Sequence, residues 1–245
     1  DNNSIYVHSD YKQLYKKEED FKEFFDSRKV QDFNKIIFVS NESKNSFLSS
    51  YQELQEKCIV INNFVDISMI KEKSKEKVKT ARQKNKTLFV FVGRLDDSSK
   101  KLKRAIDLVK DLNIELWIIG DGPDREMYEH YQKELKLEKN ITFFGMKKNP
   151  YPYRKQADYI ILTSDYEGFP VIYLEALILE KQIITTIPTS DDELDMKDYA
   201  FVIPKENHKK EVEKIIQSKS KKKFINLEMI YQNRMKRLES LFNNE

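Results

Sequence analysis

The sequence has almost no cysteine: Cys58 is the single thiol in 245 residues. A lone thiol excludes an internal disulfide and fits a reducing compartment, so a cytoplasmic location is expected. Long apolar runs are missing as well. None approaches the ~20 residues of a membrane span. Charge of one sign is not in excess, because 44 Lys and Arg stand against 41 Asp and Glu, for a net +3. The charges are interspersed, so no basic stripe argues for nucleic acid. No His/Cys cluster has ligand spacing, and no metal is expected. Glycine is scarce, and the one dinucleotide-like run, Gly120-Asp-Gly122, lacks its third glycine, with Arg125 in that place. That disfavours an NAD-dependent Rossmann enzyme. The chain opens Asp-Asn-Asn-Ser, with neither an initiator Met nor a signal-peptide pattern, as a fragment or trimmed chain would. No internal repeat competes for the fold, and the length is ample for a sizeable core.

What is present is an alternation of apolar runs and helical patterns. Ile5 to Asp10 reads as a short strand with His8 at its exit. Phe21, Phe24 and Phe25 share one face of a helix over 16–28. Lys35 to Val39 reads as a buried strand, and Ser40 caps a helix carrying Phe47, Leu48, Tyr51 and Leu54. Cys58 to Ile61 is a third strand, leading to Asn63 and Asp66. Residues 67–86 are lysine-rich, as a solvated helix or inter-domain linker is. Such β–α–β order implies parallel strands covered by helices.

The pattern sharpens at Thr87. Thr87 to Val92 is a continuous β-favouring run, typical of a strand buried on both faces. Gly93 and Arg94 follow at its carboxyl end, the edge where open α/β sheets bind ligands. A helix is expected from near Lys100, with Leu102, Ile106, Val109 and Leu112 inward. Ile114 to Ile119 is the next strand, and a helix with Met127, Tyr128, Tyr131 and Leu135 facing in follows it. Asn140 to Gly145 is another strand, and 148–153 reads as an X-Pro-rich turn. Tyr159 to Leu162, Ile183 to Thr186 and Ala200 to Ile203 complete the strands. Lys219 to Lys223 read as a solvated cap, with a membrane-surface patch as the open alternative. Phe224, Leu227, Tyr231, Leu238 and Leu241 mark a closing amphipathic helix.

The chain is organised around Ser164 to Glu175. A strand ends at Thr163, the chain turns at Gly168, and Pro170 stands where a first helical residue would be. A nearly all-apolar helix then runs from Val171. Such a helix start leaves N–H groups pointing forward with partial positive charge, a seat for phosphate. Glu167 lies just before it, and Glu175 lies about one and a half turns in, at ~3.6 residues per turn. A carboxylate in a buried segment is costly without hydrogen-bond donors, and sugar hydroxyls are donors. The residues suggest a diphosphate on the helix end with an acid on each side. This requires Gly168 open to the ligand and Arg94 aimed at the same place. A strand–turn–helix with surface acids is the bland alternative.

Glu167 and Glu175, an E-x7-E pair that takes in Tyr-Glu-Gly-Phe-Pro, resemble the signature of the retaining, GT-B-fold glycosyltransferases of family 4, and Lys148-Asn-Pro-Tyr-Pro-Tyr153 resembles the subset of them that build bacterial surface polysaccharides. The resemblance covers nearly all of the chain and is strongest from Thr87 to Thr186. It implies an α/β, GT-B-like fold of two Rossmann-like domains with parallel sheets. The N-terminal one, residues 1–70, is only partly present. Residues 71–223 would be the nucleotide-sugar-binding domain, and 224–245 a helix crossing back to the first.

The resemblance also implies a nucleoside-diphosphate sugar donor, UDP-linked, and a saccharide or lipid-linked acceptor. No cofactor or metal is needed, and no Asp-x-Asp lies near the sugar site. Arg94 and Lys100 would neutralise the leaving diphosphate. Lys101 competes with Lys100, because it stands where the family has glycine and the loop is one residue longer. Glu167 would hold sugar hydroxyls, Glu175 those of the ribose, and His8 would approach the sugar across the cleft. Gly93, Met146, Gly168, Phe169, Pro170 and Val171 would line the donor. Asp191 replaces an expected glycine, so its loop is left unassigned. The expected location is cytoplasmic, with peripheral contact at the inner face of the membrane left open. A sugar-nucleotide epimerase or phosphorylase of the same architecture, and a donor-binding subunit without activity of its own, stay open beside the transferase.

Overall fold

The computed structural model describes residues 3–15 and 17–243, with the backbone alone for 241–243. Residue 16, where the second expected element begins, and the Leu241 side chain fall outside that set. Three strands, β1 (Ser4–Val7), β2 (Lys35–Phe38) and β3 (Cys58–Val60), form a small sheet in the order β1-β2-β3. Six more, β4 (Thr87–Val92), β5 (Ile114–Ile119), β6 (Ile141–Gly145), β7 (Tyr159–Leu162), β8 (Gln182–Thr185) and β9 (Ala200–Val202), form a second sheet in the order β6-β5-β4-β7-β8-β9. Every pairing is parallel. These are the parallel strands covered by helices that the alternating pattern implies, in the two-sheet, GT-B-like arrangement that the resemblance implies.

The helices connect the strands in chain order. They are α1 (Tyr11–Leu14), α2 (Glu18–Asp26), α3 (Asn41–Leu48), α4 (Ile67–Lys73), α5 (Leu102–Asp111), α6 (Arg125–Glu134), α7 (Tyr151–Gln156), α8 (Val171–Ile178), α9 (Met196–Tyr199), α10 (Lys209–Ser218) and α11 (Leu227–Asn243).

The larger sheet is buried on both faces, and successive residues therefore enter different cores. Val90, Trp117, Ile160 and Ile183 pack into one apolar cluster with Tyr173 and Leu174 of α8. Phe89, Leu116, Ile161 and Ile184 enter the other, with Ile106 and Val109 of α5. One acid lies inside this sheet. Glu115 accepts from the Trp117 indole at 2.7 Å and from the Gln83 backbone at 2.6 Å, which replaces the water it loses. The small sheet has an aromatic core instead, in which Phe21, Phe25, Phe38, Phe47 and Tyr51 touch ring to ring.

Several boundaries differ from expectation. Ser40 does cap α3, accepting from the Ser43 N–H at 3.2 Å, but the helix stops at Leu48, and Leu54 sits in a separate 3-10 turn, Gln52–Lys57. Met127 points outward, while Gln132 is buried and donates to the Ile141 carbonyl at 2.8 Å. The X-Pro-rich turn opens the short helix α7, in which proline stands at N2. Pro170 is the residue before α8 rather than its first. Phe224 precedes α11 and is exposed, and α11 buries Leu227, Ile230 and Arg234. Helix α10 was not among the expected elements, although Val212, Ile215 and Ile216 stand at helical spacing and pack on the core.

The two sheets are tied together by charge. Arg234 of α11, 1% exposed, pairs with Asp191, reaches Glu193 at 3.2 Å and donates to the Asn63 carbonyl, just past β3, at 3.5 Å. Arg237 donates to the Val60 carbonyl at 3.0 Å, at the end of β3. From the other side, Glu42 on α3 accepts from Ser190 N–H and Oγ at 2.8 and 2.9 Å. Asp191, left unassigned above, is thus a buried structural anion.

Candidate active site

In the larger sheet β4 is paired to β5 over six residues but to β7 over two, Phe89 with Tyr159 and Val90 with Ile160. Beyond Val90 the two strands part. Chain order also reverses here, since β5 and β6 lie on one side of β4 and β7 to β9 on the other. A crevice therefore opens at the carboxyl ends of β4 and β7, the place where open parallel sheets bind ligands.

Residues from both sides converge in it. Lys100, from the β4–α5 loop, places Nζ 2.5 Å from Glu167 Oε1. Ser164, just past β7, donates its hydroxyl to the same oxygen at 2.6 Å. The Lys100 carbonyl in turn accepts from Thr163 Oγ1 at 3.0 Å, which fixes the loop against β7. Lys101 is separated from this cluster. Its backbone has φ of 50°, the left-handed region in which glycine is at no steric disadvantage, and its ammonium lies 3.7 Å from Asp97 and 3.9 Å from Asp165. The conformation explains why a glycine is expected there, and the geometry gives Lys100 to the crevice.

Arg94 is exposed on the lip of a pocket of about 450 Å³. The ends of β4 and β5 form its floor through Val92, Gly93, Ile119 and Gly120, and Met146 and Pro150 wall it. Met146 is 77% exposed, so its side chain stands free over the opening. Arg94 and Lys100 both help hold Asp96 below the usual carboxylate range, after the Ser98 hydroxyl that dominates. Two cations thus share one short loop.

Glu175 is not an open acid. It lies on the buried side of α8 and pairs with Arg154 of α7, their side chains being 11% and 6% exposed. Loss of water pushes the Arg154 guanidinium below its ordinary value, and Glu175 opposes that shift. Burial, followed by the nearby negative charge of Glu175, raises the Tyr151 phenol. Arg154 is not legible in the sequence, because nothing in the spacing of a proline-rich turn places it against a glutamate 21 residues ahead. Ser164 escaped a sequence reading for the opposite reason: it was inside the motif but read as a turn residue.

Gly168 is buried, not open. A Cβ there would collide with the His8 carbonyl oxygen and lie 2.9 Å from Val39 Cγ2. The glycine is needed because the first sheet's backbone passes over it. Phe169 is 3% exposed, and its ring meets Tyr173 edge-on as part of the core. Only its carbonyl faces the other sheet, where Asn63 Nδ2 donates to it at 3.1 Å. Pro170 and Val171 remain accessible at the start of α8. His8 is exposed beside this turn, with its ring stacked on Tyr6 at 4.7 Å. Gly168, Phe169 and His8 therefore meet at the junction of the sheets, Lys100 pairs with Glu167 in the crevice, Gly93, Arg94 and Met146 line the pocket at the ends of β4 and β5, and Glu175 is set apart against Arg154; the accessible charge is on Lys100, Glu167 and Arg94 rather than at Gly168. Among the described residues no group of three or more His, Cys, Asp or Glu is placed to hold a metal ion. Nor is any helix among them long and apolar enough to cross a membrane.

Comparison with known proteins agrees with this architecture. The family model for glycosyl transferases group 1 matches residues 72–237. An uncharacterized glycosyltransferase of Methanocaldococcus jannaschii is 28% identical over 160 residues, 62% of this chain and 39% of its own length. A Campylobacter jejuni N-acetylgalactosamine-N,N'-diacetylbacillosaminyl-diphospho-undecaprenol 4-alpha-N-acetylgalactosaminyltransferase is 29% identical over 154 residues, 62% of this chain and 40% of its own. The chain thus spans about two-fifths of the length of these curated relatives. Among solved structures, Anabaena HepE in complex with UDP has a TM-score of 0.71 at 16% identity, covering 89% of this chain and 63% of that one. At that identity the likeness speaks to the fold. With the family model spanning well over half of its residues, the chain belongs to the glycosyl transferases group 1.

Proposed function

We propose that this protein is a retaining, family 4-type transferase. It moves a sugar from a UDP-linked donor to a saccharide or lipid-linked acceptor in surface-polysaccharide synthesis, in the cytoplasm at the inner face of the membrane. The observation that carries the reading is the Lys100–Glu167 pair, 2.5 Å apart at the mouth of the crevice, with Arg94 exposed on the same β4–α5 loop. Each partner stands in for part of a ligand. The carboxylate sits where an anion would meet Lys100, and the ammonium sits where hydroxyl donors would meet Glu167. A nucleotide sugar brings both, a diphosphate and a ring of hydroxyls.

In this reading the bond between the anomeric carbon and the diphosphate oxygen lengthens, and negative charge grows on the leaving group. Lys100 and Arg94 are already in place to receive it, which lowers the barrier without reorganisation at the moment of reaction. Glu167 holds sugar hydroxyls and favours an oxocarbenium-like state. His8 approaches from the first sheet. No metal is required, because the two cations supply the charge. The names of the relatives are consistent with this, since one acts on an undecaprenol-linked diphosphate saccharide and one solved neighbour holds UDP.

The test is a panel of nucleotide sugars screened for thermal stabilisation. A ligand at about 100 times its dissociation constant contributes ~2.7 kcal/mol. UDP and one UDP-sugar are expected to stabilise the parent. Lys100→Ala loses most of both shifts, and Glu167→Ala loses only the extra part due to the sugar. Equal shifts in parent and variants would refute the assignment. Product analysis by NMR then reads the anomeric configuration, and inversion would refute retention.

A further inference from the structure

We propose that Arg104 is a positioning residue for the reaction: it fastens the residues on either side of Ser164, so that the turn beyond β7 holds Glu167 where Ser164 and Lys100 both reach it. The inference rests on the function proposed above, which gives Glu167 the sugar hydroxyls.

Arg104 belongs to α5, and its Nη1 donates to two acceptors, the Thr163 carbonyl at 2.9 Å and Asp165 Oδ1 at 2.7 Å. Ser164 lies between those two residues, and its hydroxyl donates to Glu167 Oε1 at 2.6 Å. The remaining polar groups of this stretch are fastened to other segments. The Ser164 carbonyl accepts from Thr186 Oγ1 at 2.7 Å. The Asp165 N–H donates to the Ser99 carbonyl at 2.8 Å, and the Asp165 carbonyl accepts from Lys205 Nζ at 2.6 Å. Glu167 is held through its carboxylate, by Ser164 and by Lys100 at 2.5 Å. Its place therefore depends on how firmly the turn before it is set.

Holding α5 on the sheet does not require Arg104, because Leu102, Ala105, Ile106 and Val109 already bury that helix in the core. The Arg104 and Asp165 side chains are 19% and 31% exposed, and an ion pair so placed adds little to stability. What the planar guanidinium adds is direction, which a lysine ammonium does not fix. Charge gives a second reason. Asp165 is an anion two residues from Glu167 and would oppose a diphosphate, and Arg104 with Lys101 at 3.9 Å offsets it. A misplacement of about 1 Å at a reacting group can cost ~10²-fold in rate.

Ligand-free crystal structures of Arg104→Met and Lys209→Met test the placement. Lys209 pairs with Asp111 at the far end of α5, 3.3 Å away, and serves as the control. Arg104→Met should keep the fold and move Glu167 out of reach of Ser164 or Lys100, while Lys209→Met leaves both contacts. Both contacts intact in Arg104→Met would overturn the inference. The consequence is read as UDP release from UDP-glucose, UDP-galactose or UDP-N-acetylgalactosamine, whichever the parent turns over fastest, beside UDP affinity by calorimetry. Arg104→Met should slow release by about 10–10²-fold and leave UDP affinity within about threefold. Arg104→Lys should recover part of the rate, and Lys209→Met should match the parent. A loss of rate and of UDP affinity by the same factor is general destabilisation and overturns the inference too. A parent that releases UDP from none of the three overturns the proposed function instead, and the crystal structures then decide the role of Arg104 alone.

Discussion

The two sheets share a topology rule and differ in what their carboxyl edges can hold. The small sheet runs β1-β2-β3 in chain order, so among the described residues its strand order has no reversal. The larger sheet reverses between β4 and β7, and the cations and acids of the site gather at that gap. Their interiors differ as well. Rings fill the small core, while the larger sheet is buried on two faces by mostly aliphatic side chains. The lesson is a division of labour: the larger sheet supplies the charges, and the smaller one covers the turn at Gly168 and presents His8 and Asn63 to it.

That division can be broken most forcefully at its tie. Arg234→Met leaves Asp191 and Glu193 beside a hole in the charge balance. Removing one partner of a buried pair costs about 3–5 kcal/mol. Denaturant unfolding is expected to show a loss of that size and to separate into two transitions, one per sheet. A single, unshifted transition would mean that the sheets do not depend on this contact. Next comes the claim that the larger sheet owns the chemistry. Lys100→Ala should lower kcat by about 10²–10³-fold, as loss of a preorganised charge stabiliser does. His8→Ala should lower it less, and steady-state kinetics on both variants gives the order.

A smaller effect is expected where the sheets touch. Gly168→Ala forces a methyl group against the His8 carbonyl, an overpacking that typically costs about 1–3 kcal/mol. The variant should unfold at lower denaturant while the Phe47 cluster stays native by near-ultraviolet circular dichroism. The smallest effect lies inside the small sheet. Burial pushes the Cys58 thiol up to about 11 from 9.0. Its folded value is the higher one, so the stability due to the neutral thiol is present below pH 9 and is lost as pH rises toward 11. Cys58→Ala should flatten that part of the stability curve, and thiol labelling of the parent at pH 8 should wait on unfolding.

Much of the fold was legible in the order of the residues. Thr87 to Val92 and Ile114 to Ile119 are continuous β-favouring runs, and both are strands with those limits. A buried strand has no alternative use for such a sequence. Helix ends were less legible, since α3 stops at Leu48 although Tyr51 and Leu54 continue its apolar rhythm. The following 3-10 turn buries Leu54 without the helix. Within the site, Glu167, Arg94 and Lys100 could be picked out because each sits beside a strand end or a turn. Arg154 could not, because its role depends on which glutamate lies across from it.

The sequence alone determined the strands, including the one whose end bears Arg94, most of the helices, and the turn that presents Glu167, because these follow from patterns within a few residues of one another. Only tertiary structure decided that Lys100 rather than Lys101 meets Glu167, that Glu175 is already paired with Arg154, and that Gly168 lies under His8. Each of those depends on a contact between segments distant along the chain, and on one backbone conformation, at Lys101, that turns two neighbouring lysines toward different acids.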